Sequence, residues 1–238
     1  MEKNKLNNKF DSEFVITIDI EWSSQDLIDN ILDILNEYKI KSTLFATHKA
    51  ELGNRHEIAL HPYFKSPTTY ENTLNKMIEL FPKAKGIRSH RLLSEETLLL
   101  MYKQTKIQYT SNYQMTNLSN ITPLKTIHGI LEIPIFYIDW THLMDTKIYK
   151  KISLDSLNLQ SGGLKVFDFH PIHIFLNSES MQRYDKIKKW YSNPKELNNY
   201  VNKKKKGVGT LFVELLEFLK NNKIKTSTML EISKKYKN

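Results

Sequence analysis

The stretch FVITIDIEWSSQDLIDNILDILNEYKIKSTLFAT, residues 14–47, reads as strand, helix, strand. Phe14 to Ile20 is a short apolar run rich in β-branched residues, the mark of a strand. Ser23 or Ser24 then offers an N-cap, and Leu27, Ile28, Ile31, Leu32, Leu35 and Tyr38 fall on one stripe at helical spacing. A second strand is predicted over Ile40–Thr47.

Working outward, the alternation repeats. Strands are expected at Glu57–His61, Gly86–His90, Ile107–Ser111, Ile130–Tyr137, Leu164–His170 and Lys223–Ser227. Helices are expected around Thr69–Leu80, from the Ser94 cap to Tyr102, near Thr210–Leu219 and over Met229–Tyr236. Strands alternating with helices favour a parallel sheet, open or closed into a barrel, within one α/β domain spanning residues 1–238. In such folds chemistry sits at the carboxyl edge of the strands.

The bulk composition narrows the function classes. With 238 residues, 40% of them hydrophobic and 26% charged, and a mean hydropathy of −0.48, the chain reads as a soluble enzyme-sized protein. It has no apolar run long enough to span a bilayer, and residues 1–10 lack a secretory h-region, so the cytoplasm is the expected compartment. The absence of cysteine restricts any metal shell to His, Asp and Glu. The net charge of +9 suits a phosphate-bearing partner or an anionic surface. Lys203–Lys206 and the tail lysines read as solvated surface, and specific nucleic-acid binding is not expected.

Five predicted strands end in or just before ionisable side chains: Asp19 with Glu21, His61, Arg88 with His90, Asp139, and Asp168 with His170. Period-two alternation puts Asp19 and Glu21 on one face with Ile20 turned away, and likewise pairs Arg88 with His90. His56 is not a partner for His61, because five residues of strand separate them by about 17 Å on opposite faces. Each residue also has a plainer reading. Asp19 and Glu21 could cap the next helix, Arg88 could be a structural ion-pair partner, and the histidines could be hydrogen-bonded loop residues.

In order and spacing, Thr17-Ile18-Asp19-Ile20-Glu21, Lys41-Ser42-Thr43-Leu44-Phe45, His56-Glu57-Ile58-Ala59-Leu60-His61-Pro62, Gly86-Ile87-Arg88-Ser89-His90 and Phe169-His170-Pro171-Ile172-His173 resemble the successive motifs of the polysaccharide deacetylase (NodB homology) family. The chain looks closest to its WbmS-like branch, associated with bacterial surface polysaccharide synthesis. The resemblance implies an irregular (β/α) barrel with a divalent metal, usually zinc, at the strand ends, hydrolysing N-acyl groups on sugars. It implies Asp19 as general base, Arg88 as the group that holds it ionised, His170 as the acid on the leaving amine, and His61 as a metal ligand.

Two positions depart from the pattern. Ile20 stands where the family usually has a second, metal-binding aspartate, and Lys65 where it has a second histidine. Glu21 and His90 are the expected replacements, with His173 behind them, so the expected metal set is Glu21, His61 and His90. Asp139-Trp140 either lines the sugar site or pairs a core tryptophan with a capping aspartate. Tyr63 carries the same ambiguity, and His173 is a further substrate-side candidate. The expected partner is a nucleotide-linked or lipid-linked amino sugar carrying an acetyl or formyl group. The alternative is a catalytically silent carbohydrate-binding relative.

Overall fold

The computed structural model describes residues 11–144, 151–187, 190 and 193–237. Ten strands build one sheet: β1 (Ser12–Glu21), β2 (Ser42–Ala46), β3 (Glu57–Leu60), β4 (Gly86–Ile87), β5 (Tyr109–Thr110), β6 (Leu124–Lys125), β7 (Leu131–Glu132), β8 (Tyr137–Ile138), β9 (Gly163–Phe169) and β10 (Thr226–Ser227). They run in the order β6-β7-β5-β4-β3-β2-β1-β9-β8, with β10 pairing to β1 off this path. Every pairing is parallel except that of β6 with β7. The central strand β1 is buried along most of its length, as expected where helices cover a parallel sheet.

The sheet closes on itself through one kinked segment. The single strand expected over Ile130–Tyr137 divides instead into β7, paired with β5, and β8, paired with β9. The cause is Pro134, which has no N–H to continue a ladder. On either side of it the chain still bonds outward. Ile133 N donates to the Thr110 carbonyl and Ile135 N to that of Tyr113, while Phe136 N donates to Val166 on β9. One segment thus joins the two ends of the sheet, which makes the irregular α/β barrel that the sequence led one to expect.

Three other strands are much shorter than expected, among them the one expected over Ile107–Ser111, which is confined to Tyr109–Thr110. The run expected over Gly86–His90 leaves the ladder after Ile87, because Arg91 and Leu92 take left-handed backbone with φ of 63° and 55°. The last strand shrinks to Thr226–Ser227, following Lys223 at φ 55°.

Helices α1 (Gln25–Glu37), α2 (Tyr70–Leu80) and α3 (Glu96–Lys103) follow their strands as expected. Helix α1 buries Leu27, Ile28, Ile31, Leu32 and Leu35, each worth about 1.5–3 kcal/mol over exposure. Ser24 takes its N-cap position, but its hydroxyl makes no capping bond. Short helices α4 (Asp139–Met144), α5 (Pro171–Phe175), α6 (Met181–Ile187) and α7 (Pro194–Leu197) were not anticipated. The amphipathic α8 (Val208–Asn221) lays Phe212 against Phe169 of β9, ring centroids 4.8 Å apart. The final helix α9 (Met229–Tyr236) starts with a capping box between Thr228 and Glu231.

Gly86 is required by packing. A Cβ there would lie 1.8 Å from Cζ of the buried Tyr109 ring, whose hydroxyl donates to Glu57 at 2.7 Å. Gly86→Ala is therefore expected to cost about 1–3 kcal/mol, read as a lower denaturation midpoint with an unchanged m-value. A variant as stable as the parent would show that the ring has room to move.

Candidate active site

The carboxyl edge of the sheet delivers its polar side chains in one place. Asp19, Glu21, Trp22, His61, His90, Arg91, Gln114, Trp140, Asp168, His170, His173 and Tyr184 line a cavity of about 790 Å³. At its floor is Arg88, with no exposed surface. Its Nη1 donates to Asp19 Oδ1 at 2.8 Å, to Asp168 Oδ1 at 2.6 Å and to Thr17 Oγ1 at 2.9 Å. Its Nε and Nη2 reach the Ser111 carbonyl and hydroxyl at 3.2 and 3.0 Å, and the guanidinium stacks 4.1 Å from the centre of the Phe45 ring.

These contacts drive the two carboxyls in opposite directions. Burial raises the Asp19 carboxyl, but its neighbours His61, Arg88 and His170 outweigh it and leave the group below its ordinary range. Asp168 moves the other way: burial and the neighbouring Asp19 charge outweigh Arg88 and push it well above. One guanidinium shared by two buried carboxylates therefore favours the charged form of Asp19, while burial and the Asp19 charge favour the neutral form of Asp168. Asp19 Oδ1 is engaged by Arg88, and Oδ2 lies 3.6 Å from His61 Nε2.

Next to this pair, Asp139 Oδ1 is 2.6 Å from His170 Nδ1, and Asp139 Oδ2 accepts the His170 backbone N–H at 2.8 Å. Burial works against a charged His170 ring, but Asp139 and then Glu21 overcome it and raise its pKa well above the usual value. The ring is thus an imidazolium at neutral pH, with its Nε2 3.6 Å from Glu21 Oε1. Asp139 has no exposed surface and is not on the cavity wall. Its place is behind His170, so the expectation that it lines the sugar site does not hold.

Glu21, His61 and His90 bring one ligand atom each within 4.8 Å of one another. Glu21 gets there through a register shift after Asp19 and a left-handed φ of 48°, rather than by plain strand alternation. His90 is placed by the turn after β4. His61 Nδ1 bonds the Arg88 carbonyl at 2.9 Å, which leaves Nε2 as the bare lone pair, buried and without a hydrogen-bond partner. Burial lowers the His61 pKa, with Asp19 and Glu21 only partly compensating, so the ring is neutral, as a metal ligand must be. Burial raises the Glu21 carboxyl, but hydrogen bonds to His170 and His90 outweigh it and hold the group ionised. An orphaned imidazole nitrogen facing a carboxylate and a second imidazole fits a divalent cation of the zinc type.

Asp19, Asp168 and His170 also cluster within 4.8 Å. That group suits a cation poorly, since Arg88 already bridges both carboxylates and His170 is itself charged.

The remaining expectations sort themselves by position. Lys65 is exposed, its ammonium 5.6 Å from the Tyr63 ring centre, and leaves the site to others. Tyr63 stands behind the wall, packing edge-on against Trp22 and His90. His173 is buried on the wall, its pKa lowered to about 4 by burial, with Nδ1 3.2 Å from Ser178 Oγ. Trp140 is 40% exposed at the rim and tilts over His173 and Tyr184. Trp22, 50% exposed, flanks the other side. Trp22, Arg91, Gln114 and Tyr184 were not anticipated as wall residues. Asp168 had a signal in the sequence, lying two residues before His170 on the same strand face.

No curated protein sequence matches the chain at a significant level. Among solved structures, a Bordetella bronchiseptica protein described as a polysaccharide deacetylase involved in O-antigen biosynthesis (WbmS) superposes with a TM-score of 0.76 at 23% identity, over 86% of this chain and 90% of that one. A peptidoglycan N-acetylglucosamine deacetylase superposes at 0.52 with 15% identity, over 98% and 97%. A mutant of a Bacillus anthracis CE4 family pseudoenzyme, with restored enzymatic activity, superposes at 0.50 with 13% identity, over 93% and 67%. The sequence profile of the WbmS-like polysaccharide deacetylases matches residues 16–188, and the chain belongs to that family.

Proposed function

We propose that the protein is a metal-dependent hydrolase that removes an N-acyl group, acetyl or formyl, from an amino sugar in surface polysaccharide synthesis. The observation that carries this reading is the unpartnered Nε2 of His61, buried between an ionised aspartate and the Glu21–His90 pair. Glu21, His61 and His90 would hold the metal, whose Lewis acidity would make an amide carbonyl a better electrophile.

The chain's own residues supply the rest. Asp19 Oδ2, free of Arg88, accepts the proton of an attacking water, while Arg88 fixes the carboxylate through Oδ1. His170 donates its Nε2 proton to the departing nitrogen, which could not leave as an amide anion. Asp139 keeps that ring charged and oriented, the arrangement by which a buried carboxylate sets an imidazole's tautomer. Trp22 and Trp140 flank the opening with apolar faces suited to a pyranose ring. The substrate would be made and consumed on the inner side of the membrane. Among the described residues no helix is long and apolar enough to cross a bilayer.

A second reading, a silent carbohydrate-binding relative, draws on Ile20 and Lys65 in place of the usual ligands and on the inactive relative of the same fold. Metal content separates the two. The chain is expected to carry about one zinc by atomic emission, and His61→Ala to lose it; a metal-free chain that still binds glycan would favour the silent relative. Asp19→Asn should keep the zinc yet lower kcat by about 10²–10⁴, and full activity in that variant would remove Asp19 as the base.

Asp139→Asn tests the proton donor. In the metal-free protein His170 should titrate above its usual range by NMR and return towards about 6.5 in the variant. A raised folded-state pKa stabilises fully below the unfolded value and is lost as pH rises through the folded one. The stability gap between parent and variant should therefore be widest near pH 6 and narrow on the alkaline side. A gap that widens there would reverse the assignment.

A further inference from the structure

The turn after β4 holds two consecutive non-glycine residues in left-handed backbone, Arg91 at φ 63° and Leu92 at φ 55°. Such conformations are unfavourable for side-chain-bearing residues and persist only where the surroundings enforce them. Here they do. Leu92 N donates to the Ser89 carbonyl, Ser89 Oγ to that of Leu93 at 2.6 Å, and Ser89 N to Asn112 Oδ1 at 2.8 Å, while His90 N bonds Pro62. The result is an exposed arginine on the cavity wall, directly after His90, with no carboxylate within ion-pair distance among the described residues.

The cavity, about 790 Å³, lies towards the top of the range for small-molecule sites, roughly 300–1,000 Å³, and has room for more than one sugar ring. Its floor is occupied by Asp19, Glu21 and Asp168, so an anion would be received at the rim.

We propose that Arg91 is a substrate-binding residue that receives the phosphate of a diphosphate-linked amino sugar. The inference rests on the deacylase reading for the sugar and adds the chemistry of its carrier. A planar guanidinium forks onto a phosphate through two parallel bonds, which explains an arginine at a position where asparagine or glycine would relieve the backbone.

Binding is tested apart from turnover, on the full chain treated with EDTA so that no metal captures phosphate. Calorimetry with uridine diphosphate should give saturable binding that weakens about tenfold to a hundredfold in Arg91→Asn and is unchanged in Lys225→Ala. Because asparagine accepts left-handed backbone, Arg91→Asn should at the same time melt at or above the parent temperature, which separates lost affinity from lost fold. Equal binding by parent and Arg91→Asn, or none by the parent, overturns the proposal. With the zinc-loaded chain, acetate release from UDP-N-acetylglucosamine and from a farnesyl-diphosphate-linked N-acetylglucosamine in neutral vesicles tells a soluble carrier from a lipid one. Arg91-dependent binding without release of acetate from the N-acetyl sugars, or of formate from their N-formyl counterparts, would leave the anion site standing and sink the deacylase. Release from methyl N-acetylglucosaminide without Arg91-dependent binding would do the reverse.

Discussion

A single guanidinium ties the barrel together. Arg88 starts at the end of β4, yet it bonds side chains on β1 and β9 and both polar atoms of Ser111 beyond β5. In a flat sheet β9 would lie four strands away, about 19 Å at the usual spacing, beyond the reach of any arginine side chain. The sheet must curl for these bonds to exist. Because the group is wholly buried and charged, the bonds must in turn be made. Glu132 supports this from beneath: it accepts the backbone N–H of Asn112 and Tyr113 at 2.7 and 2.9 Å, and Asn112 accepts from Ser89 beside the arginine.

The same constraint distributes protons. Arg88 satisfies Asp19 and Asp168 together, but its one positive charge neutralises only one of them. The Asp19 carboxyl is accordingly held below its ordinary range and the Asp168 carboxyl pushed above it. Asp139 has a cation of its own in His170. The site therefore holds an acceptor and a donor of protons close together, with a neutral imidazole, His61, beside the acceptor. His170 and His61 thus take different states, set by burial and by which carboxylate each one faces.

Much of this was legible in the sequence. The strand–helix–strand opening, the helical stripe from Leu27 to Leu35 and the polar residues at strand ends follow from local periodicity, which is dictated by residues a few positions apart. Legibility failed where long-range packing decides. Pro134 splits a continuous apolar run, and nothing local says that its halves join opposite ends of the sheet. Arg91 and Leu92 adopt a backbone that their side chains disfavour, enforced by Ser89 and Asn112 from elsewhere. Asp139 looked like a residue at the sugar, since a strand end next to a tryptophan reads that way; its true neighbour, His170, is 31 positions on. Asp168 was visible by alternation, but the upward push on its carboxyl comes from burial and from Asp19 on a strand 149 residues earlier, which no local pattern shows.

The shift of register at Glu21 bears on how such proteins are recognised. Ile20, between Asp19 and Glu21, turns into the core, and the register shift with a left-handed ending brings the Glu21 carboxylate within reach of His61 and His90. An acidic ligand can thus stand one place further along the chain and still face the site, provided the handedness of the backbone changes with it. Searches that require contiguous letters will overlook members that have made this exchange, whereas a comparison of where oxygen and nitrogen atoms converge above the sheet will find them.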